Sequence, residues 1–184
     1  FFKKYNKWKS RKSELSSQIS FAKSELLYLQ NIILAIENVE TLDELEEIRI
    51  ELSSEGYIKL KSSSKKQKKD PVVSSPMSFL SSDETTILVG KNNKQNDALT
   101  TKLSSPDDIW LHTKDIPGSH VIIKANIDTV SDQTLLEAAE LAAYFSKARQ
   151  SSKVAVDYAI RKHVKKPSGA KPGFVIYDNQ TTVY

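Results

Sequence analysis

The stretch DDIWLHTKDIPGSH, residues 107–120, holds a Trp, two His, a Lys, three Asp, a Ser and a Pro-Gly pair. Three chemistries fit those residue types. A nucleophilic triad would draw on Ser119, His120, His112 and Asp115, which must converge within hydrogen-bond reach. Ser119 and His120 are neighbours in an extended segment, so their side chains leave opposite faces. No Gly-x-Ser-x-Gly elbow is present either. A metal site would use His112, Asp115 and His120, but their spacing matches no established ligand motif. No catalytic centre, metal or cofactor is therefore expected. The third chemistry is a binding surface. In a strand, Trp110, His112 and Lys114 share one face, and Ile109, Leu111 and Thr113 share the other. A row of indole, imidazole and ammonium can stack a base and hold a phosphate. The competing reading makes Trp110 a core residue and His112 the cap of a buried network. Spacing leaves both open, and a sheet covered on both faces would remove the exposed row.

A second candidate is GKNNKQND, residues 90–97. Gly90 permits close backbone approach. Asn92, Asn93, Gln95 and Asn96 carry donors and acceptors, with Lys91 and Lys94 beside them. A helix starting near Lys94 would add free amides suited to an anion. The run lacks the Gly-x-x-x-x-Gly-Lys-Ser/Thr phosphate motif, and an Asn-rich turn reads equally well. Two basic clusters complete the set. Six Lys lie between Lys59 and Lys69. Arg161, Lys162, Lys165, Lys166 and Lys171 surround His163. Such patches attract RNA, DNA or anionic surfaces. They also serve as ordinary solvated surface.

These side chains need elements to hold them. Phe1, Tyr5, Trp8, Lys12, Leu15, Ile19, Ala22, Leu26, Leu29, Ile33 and Ile36 alternate spacings of four and three, and only Lys12 is polar. That repeat is a coiled-coil seam. With no Gly or Pro before residue 41, it predicts one helix about 55–60 Å long. Its stripe calls for a partner, either an antiparallel helix upstream or a second copy. TLDE at 41–44 is a capping box opening a second helix, with Leu42, Leu45, Ile48 and Leu52 as its apolar face and Gly56 as its stop. Residues 59–75 have neither period nor core content and read as a linker. Residues 76–184 alternate short apolar runs with turns. TTILVG, DDIWLHT, SHVIIKA, SKVAVDYA and GFVIYD read as strands, KQNDALTTKL as a short helix, and SDQTLLEAAELAAYFSKARQ as a longer one. Pro117-Gly118 reads as a type II turn with positive φ at Gly118. The expected class is α+β: residues 1–58 as coiled-coil segment and short helix, then a mixed, largely antiparallel sheet with helices on one face.

The bulk numbers fit a fragment of this kind. The 184 residues are 39% apolar, contain no Cys and carry a net charge of +4. Disulfides and thiolate metal sites are excluded. No run of about 20 apolar residues is evident, so no membrane insertion is expected. A chain that begins at Phe1 and ends in strand-like TTVY reads as a piece of something longer.

ETTILVG, GKNNKQND, DDIWLHTKDIPGSHVII and VAVDYAIRKHVKKPSGAKPGFVIY, in that order, resemble the NFACT-R domain that closes the NFACT proteins. These include the bacterial RqcH type, also described as fibronectin-binding protein A-like; a streptococcal or other firmicute member fits. The match covers residues 76–184, and the helices before it resemble the end of the family's central coiled coil, with the NFACT-N and helix-hairpin-helix regions missing. The resemblance implies ribosome-associated quality control in the cytoplasm. The partners it implies are the large ribosomal subunit and tRNA, alanyl-tRNA in bacteria, in support of alanine tailing of stalled chains. It implies an R domain that binds RNA, with Asn92, Asn93, Lys94, Gln95, Asn96, Trp110, His112, Lys114, His120, Lys162, Lys165, Lys166 and Lys171 as contacts and Gly90, Pro117 and Gly118 shaping turns. The alternative it carries is a cell-surface adhesin binding fibronectin or fibrinogen.

Overall fold

The computed structural model describes residues 1–59 and 74–184. Most of the expected linker, with all but the first of its six lysines, lies outside the described residues.

Helix α1 runs Phe2–Glu37 without a break. Helix α2, Leu42–Ser54, follows a four-residue turn. Glu44 N donates to Thr41 Oγ1 at 3.3 Å, and Glu40 N donates to Glu44 Oε2 at 2.9 Å. The capping box therefore forms, with its return bond one residue earlier than the standard pattern. Gly56, at φ 83, takes the left-handed turn that ends the helix. The two helices meet through Tyr28, Ile32, Ala35 and Ile48. The four-three stripe faces solvent, with Trp8 70% exposed and Ile19 and Ile33 also exposed, and the buried set lies on a neighbouring edge of α1. Helix α2 turns Glu44, Ile48 and Glu51 inward and leaves Leu42 and Leu45 outside. The expected apolar face is thus half kept: Ile48 and Leu52 pack toward α1, while Glu44 and Glu51 are buried in place of Leu42 and Leu45. Helix α1 is long and apolar enough to cross a membrane by length and composition. Tyr28, Ile32 and Ala35 near its C-terminal end are buried against Ile48, and most of its length is exposed.

The second region is a sheet of six strands. They are β1 (Met77–Leu80), β2 (Thr86–Val89), β3 (Ile109–Thr113), β4 (Val121–Ile123), β5 (Val156–Ile160) and, last in the chain, β8 (Thr181–Val183). Their order is β1-β2-β4-β3-β5-β8, and every pairing is antiparallel. The expected mixture of directions is thereby corrected, while the α+β class holds. Between β2 and β3, α3 (Asn93–Ala98) continues into a π-turn at Leu99–Leu103. Helix α4, Asp132–Tyr144, starts at Ser131, whose hydroxyl accepts from Thr134 N at 3.0 Å. One 3₁₀ turn, Arg161–His163, leads into a small ladder of β6 (Val164–Lys165) and β7 (Ile176–Tyr177).

Strand alternation sorts side chains to two faces. Ile109, Leu111, Val121 and Ile123 pack against Leu135, Ala138 and Ala142 of α4. On the opposite face Trp110 and Ile122 pack with Leu99, Ala159 and Val164. Helices were expected on one face; α3, its π-turn and the β6–β7 ladder cover the other. The β3–β4 turn also differs from expectation. Asp115, at φ 55, takes the left-handed conformation and Gly118 does not. Gly118 is needed for closeness: a Cβ there would stand 2.6 Å from Thr113 Oγ1 and 3.1 Å from Ser146 Cβ.

Candidate nucleic-acid interface

The Asn-rich segment is buried by the acidic face of α2. Asn92 Nδ2 donates to Glu47 Oε2 at 2.8 Å, Asn93 Nδ2 to Glu51 Oε1 at 3.0 Å, and Lys91 Nζ to Glu44 Oε1 at 2.5 Å. Asn92 Oδ1 accepts from Gln95 N at 2.9 Å and caps α3. Asn96 Oδ1 accepts from His120 N at 3.0 Å, and a Cβ on Gly90 would strike that oxygen. The expected anion site is therefore filled from within, by carboxylates of α2. Asn92, Asn93, Gln95 and Asn96 are all buried, and Lys94 alone of the five candidates is exposed. Burial pushes the Glu51 carboxyl up, against the pull of bonds from Asn93 and Tyr28. On Glu44 burial acts in the same direction, but Lys91 and backbone amides outweigh it and hold the carboxyl low.

The dense stretch is mostly interior. Trp110 is 0% exposed, which corrects the exposed aromatic row. It stacks on His112 at 5.9 Å, meets His120 edge-on at 5.3 Å and touches Tyr177 at 4.8 Å between ring centroids. His120 Nδ1 lies 2.8 Å from Thr100 Oγ1, so its partner is Thr100 and not Ser119. Burial, helped by His112, pushes His120 down to about 3. Burial also lowers His112, against contacts at Gly118 and Thr113 and the charge of Asp157. Both rings are neutral at pH 7. Lys114 is exposed and reaches Asp157 at 4.0 Å. Among the described residues, no three His, Cys, Asp or Glu side chains gather as a metal-holding group.

The second basic cluster divides into bound and free cations. Lys171 Nζ sits 2.9 Å from Glu25 and 3.7 Å from Glu55, donates to Tyr57 Oη at 2.7 Å, and lies 4.6 Å and 4.5 Å from the ring centres of Tyr28 and Tyr57. It clamps the loop after β6 onto both helices. Burial alone would lower its pKa; Tyr57 and Glu25 raise it. Lys166 is paired with Asp97 of α3. Lys162 and Lys165 are exposed, and among the described residues Lys162 pairs with the exposed Asp107 at 3.5 Å. Arg161 Nε donates to Thr100 O at 2.5 Å and binds Ser104 Oγ at 3.2 Å. These bonds seat segment 161–166 beside α3 and its π-turn, which carry the exposed Lys94 and Lys102.

Between α1 and this domain runs a groove of about 620 Å³. Phe21, Tyr28, Trp110, His112, Phe174 and Tyr177 supply its rings. Trp110 Nε1 is buried without a hydrogen-bond partner.

Comparison with known proteins agrees with this division. Residues 75–179 match the family model described as the NFACT protein RNA binding domain. The chain belongs to the NFACT family. Residues 1–71 match the model for NFACT N-terminal and middle domains, in line with helices that resemble the end of the family's central coiled coil. The chain is 47% identical over its whole length to Rqc2 homolog RqcH of Bacillus subtilis, covering 32% of that protein, and 46% identical to its Streptococcus suis counterpart over the same share. It thus spans about a third of the curated relatives it matches. Among solved structures, the C-terminal part of the fibronectin/fibrinogen-binding protein from Streptococcus suis aligns with TM-score 0.87 and 45% identity, over 99% of this chain and 72% of that one.

In this NFACT chain, sequence reasoning missed Lys102 and the groove residues Phe21, Tyr28, Phe174 and Tyr177. Lys102 sits in KQNDALTTKL, where its helical context signals nothing about exposure. Phe174 follows the Gly-Pro-rich run SGAKPG, and that loop composition was the available clue.

Proposed function

We propose that this chain is the RNA-binding end of a bacterial ribosome-associated quality-control factor. It contacts the large ribosomal subunit and tRNA in the cytosol, performs no chemistry itself, and supports alanine tailing carried out by the whole protein. The observation that carries this reading is the match of residues 75–179 to an RNA-binding domain whose exposed Lys94, Lys102, Lys162 and Lys165 lie on neighbouring segments. Phosphates bound there displace counterions, which gives affinity without base specificity.

A second reading draws on the streptococcal neighbour, named for fibronectin and fibrinogen binding. In that reading the exposed apolar stripe of α1 meets a host protein. Co-sedimentation with large ribosomal subunits, beside binding to immobilised fibronectin, separates the two. Subunit binding that weakens steeply with salt supports the RNA reading. Fibronectin binding that survives high salt, with no subunit binding at low salt, overturns it.

A further inference from the structure

The groove between α1 and the sheet domain is the concave surface where unused chemistry collects. Its walls are rings: Phe21 on α1, 66% exposed, and Phe174 on the loop before β7, 37% exposed, stand at its rim. Trp110, His112 and Tyr177 line it from the sheet side. Lys171 is the one cation among the described residues lining it, and Glu25, Glu55 and Tyr57 hold that ammonium. A phosphate has no free partner inside. The lining does offer a donor without an acceptor, the buried Nε1 of Trp110. Such a group costs free energy until something accepts from it.

We propose that this groove takes a single unstacked nucleobase from RNA held at the neighbouring lysines, its face against the aromatic walls and an acceptor on its edge receiving the Trp110 Nε1–H. This rests on the RNA reading above and adds a second kind of contact to it. The fit is chemical. A base is flat and uncharged, and it carries ring nitrogens or carbonyls that accept. The neutral imidazole of His112, half-buried against Trp110, offers it a further donor or acceptor. The chain itself links the two contacts. Lys165 and Lys166 begin the loop that ends at Phe174 in the groove, and Asp97, which holds Lys166, also accepts from Gly173 N at 3.0 Å. RNA backbone lying along Lys162 and Lys165 therefore runs beside the groove mouth.

The test uses the whole 184-residue chain with Trp8→Phe, so that Trp110 is the remaining indole. Two probes of equal length are titrated: a short uridine oligonucleotide and its abasic ribose-phosphate counterpart. The expected result is Trp110 quenching by the uridine probe and roughly ten-fold tighter binding than the abasic one, within the range known for base–aromatic stacking. Phe174→Ala and Trp110→Phe should erase most of that advantage and leave abasic binding unchanged. Phe21→Ala, on an exposed helix surface, keeps the test open should the other variants fold poorly. Lys165→Ala should weaken both probes alike. Equal binding of the two probes, or an undiminished advantage in Phe174→Ala and Phe21→Ala, overturns the groove assignment and leaves the lysine surface standing. No binding of either probe at low salt overturns both. An aromatic peptide that fills the groove while uridine does not also overturns it.

Discussion

Segments 91–96 and 161–166 look alike as sequence: both are polar, both carry lysine, and both suggest a polyanion. The fold treats them oppositely. Asn92, Asn93, Gln95 and Asn96 are buried, and Glu47 and Glu51 of α2 accept from three of them. Lys162 and Lys165 stay in solvent on the rim of the same domain. The difference lies in what reaches each segment. Carboxylates some 45 positions earlier in the chain bury the amides, whereas among the described residues Lys162 meets an exposed carboxylate, Asp107 at 3.5 Å, and both lysines stay in solvent. Polar composition thus reports hydrogen-bonding capacity, and tertiary partners decide whether that capacity holds the fold or meets a ligand.

The comparison breaks first at Glu51. Its Oε1 accepts from Tyr28 Oη and Asn93 Nδ2, both at 3.0 Å, in a wholly buried site. Glu51→Ala strands both donors and should destabilise by about 2–4 kcal/mol in urea unfolding. Glu51→Gln should cost far less, because burial already favours the neutral carboxyl. Equal losses in the two variants would mean that the site needs the charge.

Protonation sharpens the same contrast. His120 titrates near 6.5 when unfolded and near 3 in the fold. The unfolded chain takes the proton first, so this stability is fully present above about pH 6.5 and is lost as pH falls toward 3. The slope approaches ~1.4 kcal/mol per pH unit, or about 2 kcal/mol by pH 5, and His112 adds to it in the same direction. Unfolding free energies at pH 7.5, 6 and 5 would check this. A flat profile would mean that His120 is solvated.

Gly118 gives a smaller effect. Gly118→Ala should cost about 1–3 kcal/mol through its clash with Thr113 Oγ1 and Ser146 Cβ, with no contribution from a positive φ. A thermal melt equal to the parent's would show that both neighbours yield freely.

How much of this was legible depends on range. Helix α1, the Thr41 cap, β3 and α4 carry local signals: an unbroken apolar period, a capping box, strict alternation, a serine start. The faces of β3 were also legible, since Ile109 and Leu111 separate from Trp110 as alternation requires. The second cover was not. Strands β6 and β7 have two residues each, too few to alternate, and the seating of α3 depends on Glu47 and Glu51, far back in the chain. The fate of Lys171 was equally hidden, because its clamp draws on Glu25 and Tyr28 of α1 and on Glu55 and Tyr57 in the turn after α2. At the turn, local chemistry pointed to Gly118 for the left-handed residue, and Asp115, a type that tolerates it, took the role.

The central claim is that free lysines hold RNA while the buried amides hold the fold. The salt dependence of tRNA affinity measures it directly, since each phosphate contact contributes a log–log slope of about −0.7 to −0.9. The Lys162→Ala/Lys165→Ala double variant should melt like the parent and show a slope flatter by about one to two units. Asn93→Ala should do the reverse, losing stability and keeping the parent slope at temperatures where it remains folded. A double lysine variant with the parent slope, beside a folded Asn93→Ala protein with a flattened one, would contradict the account.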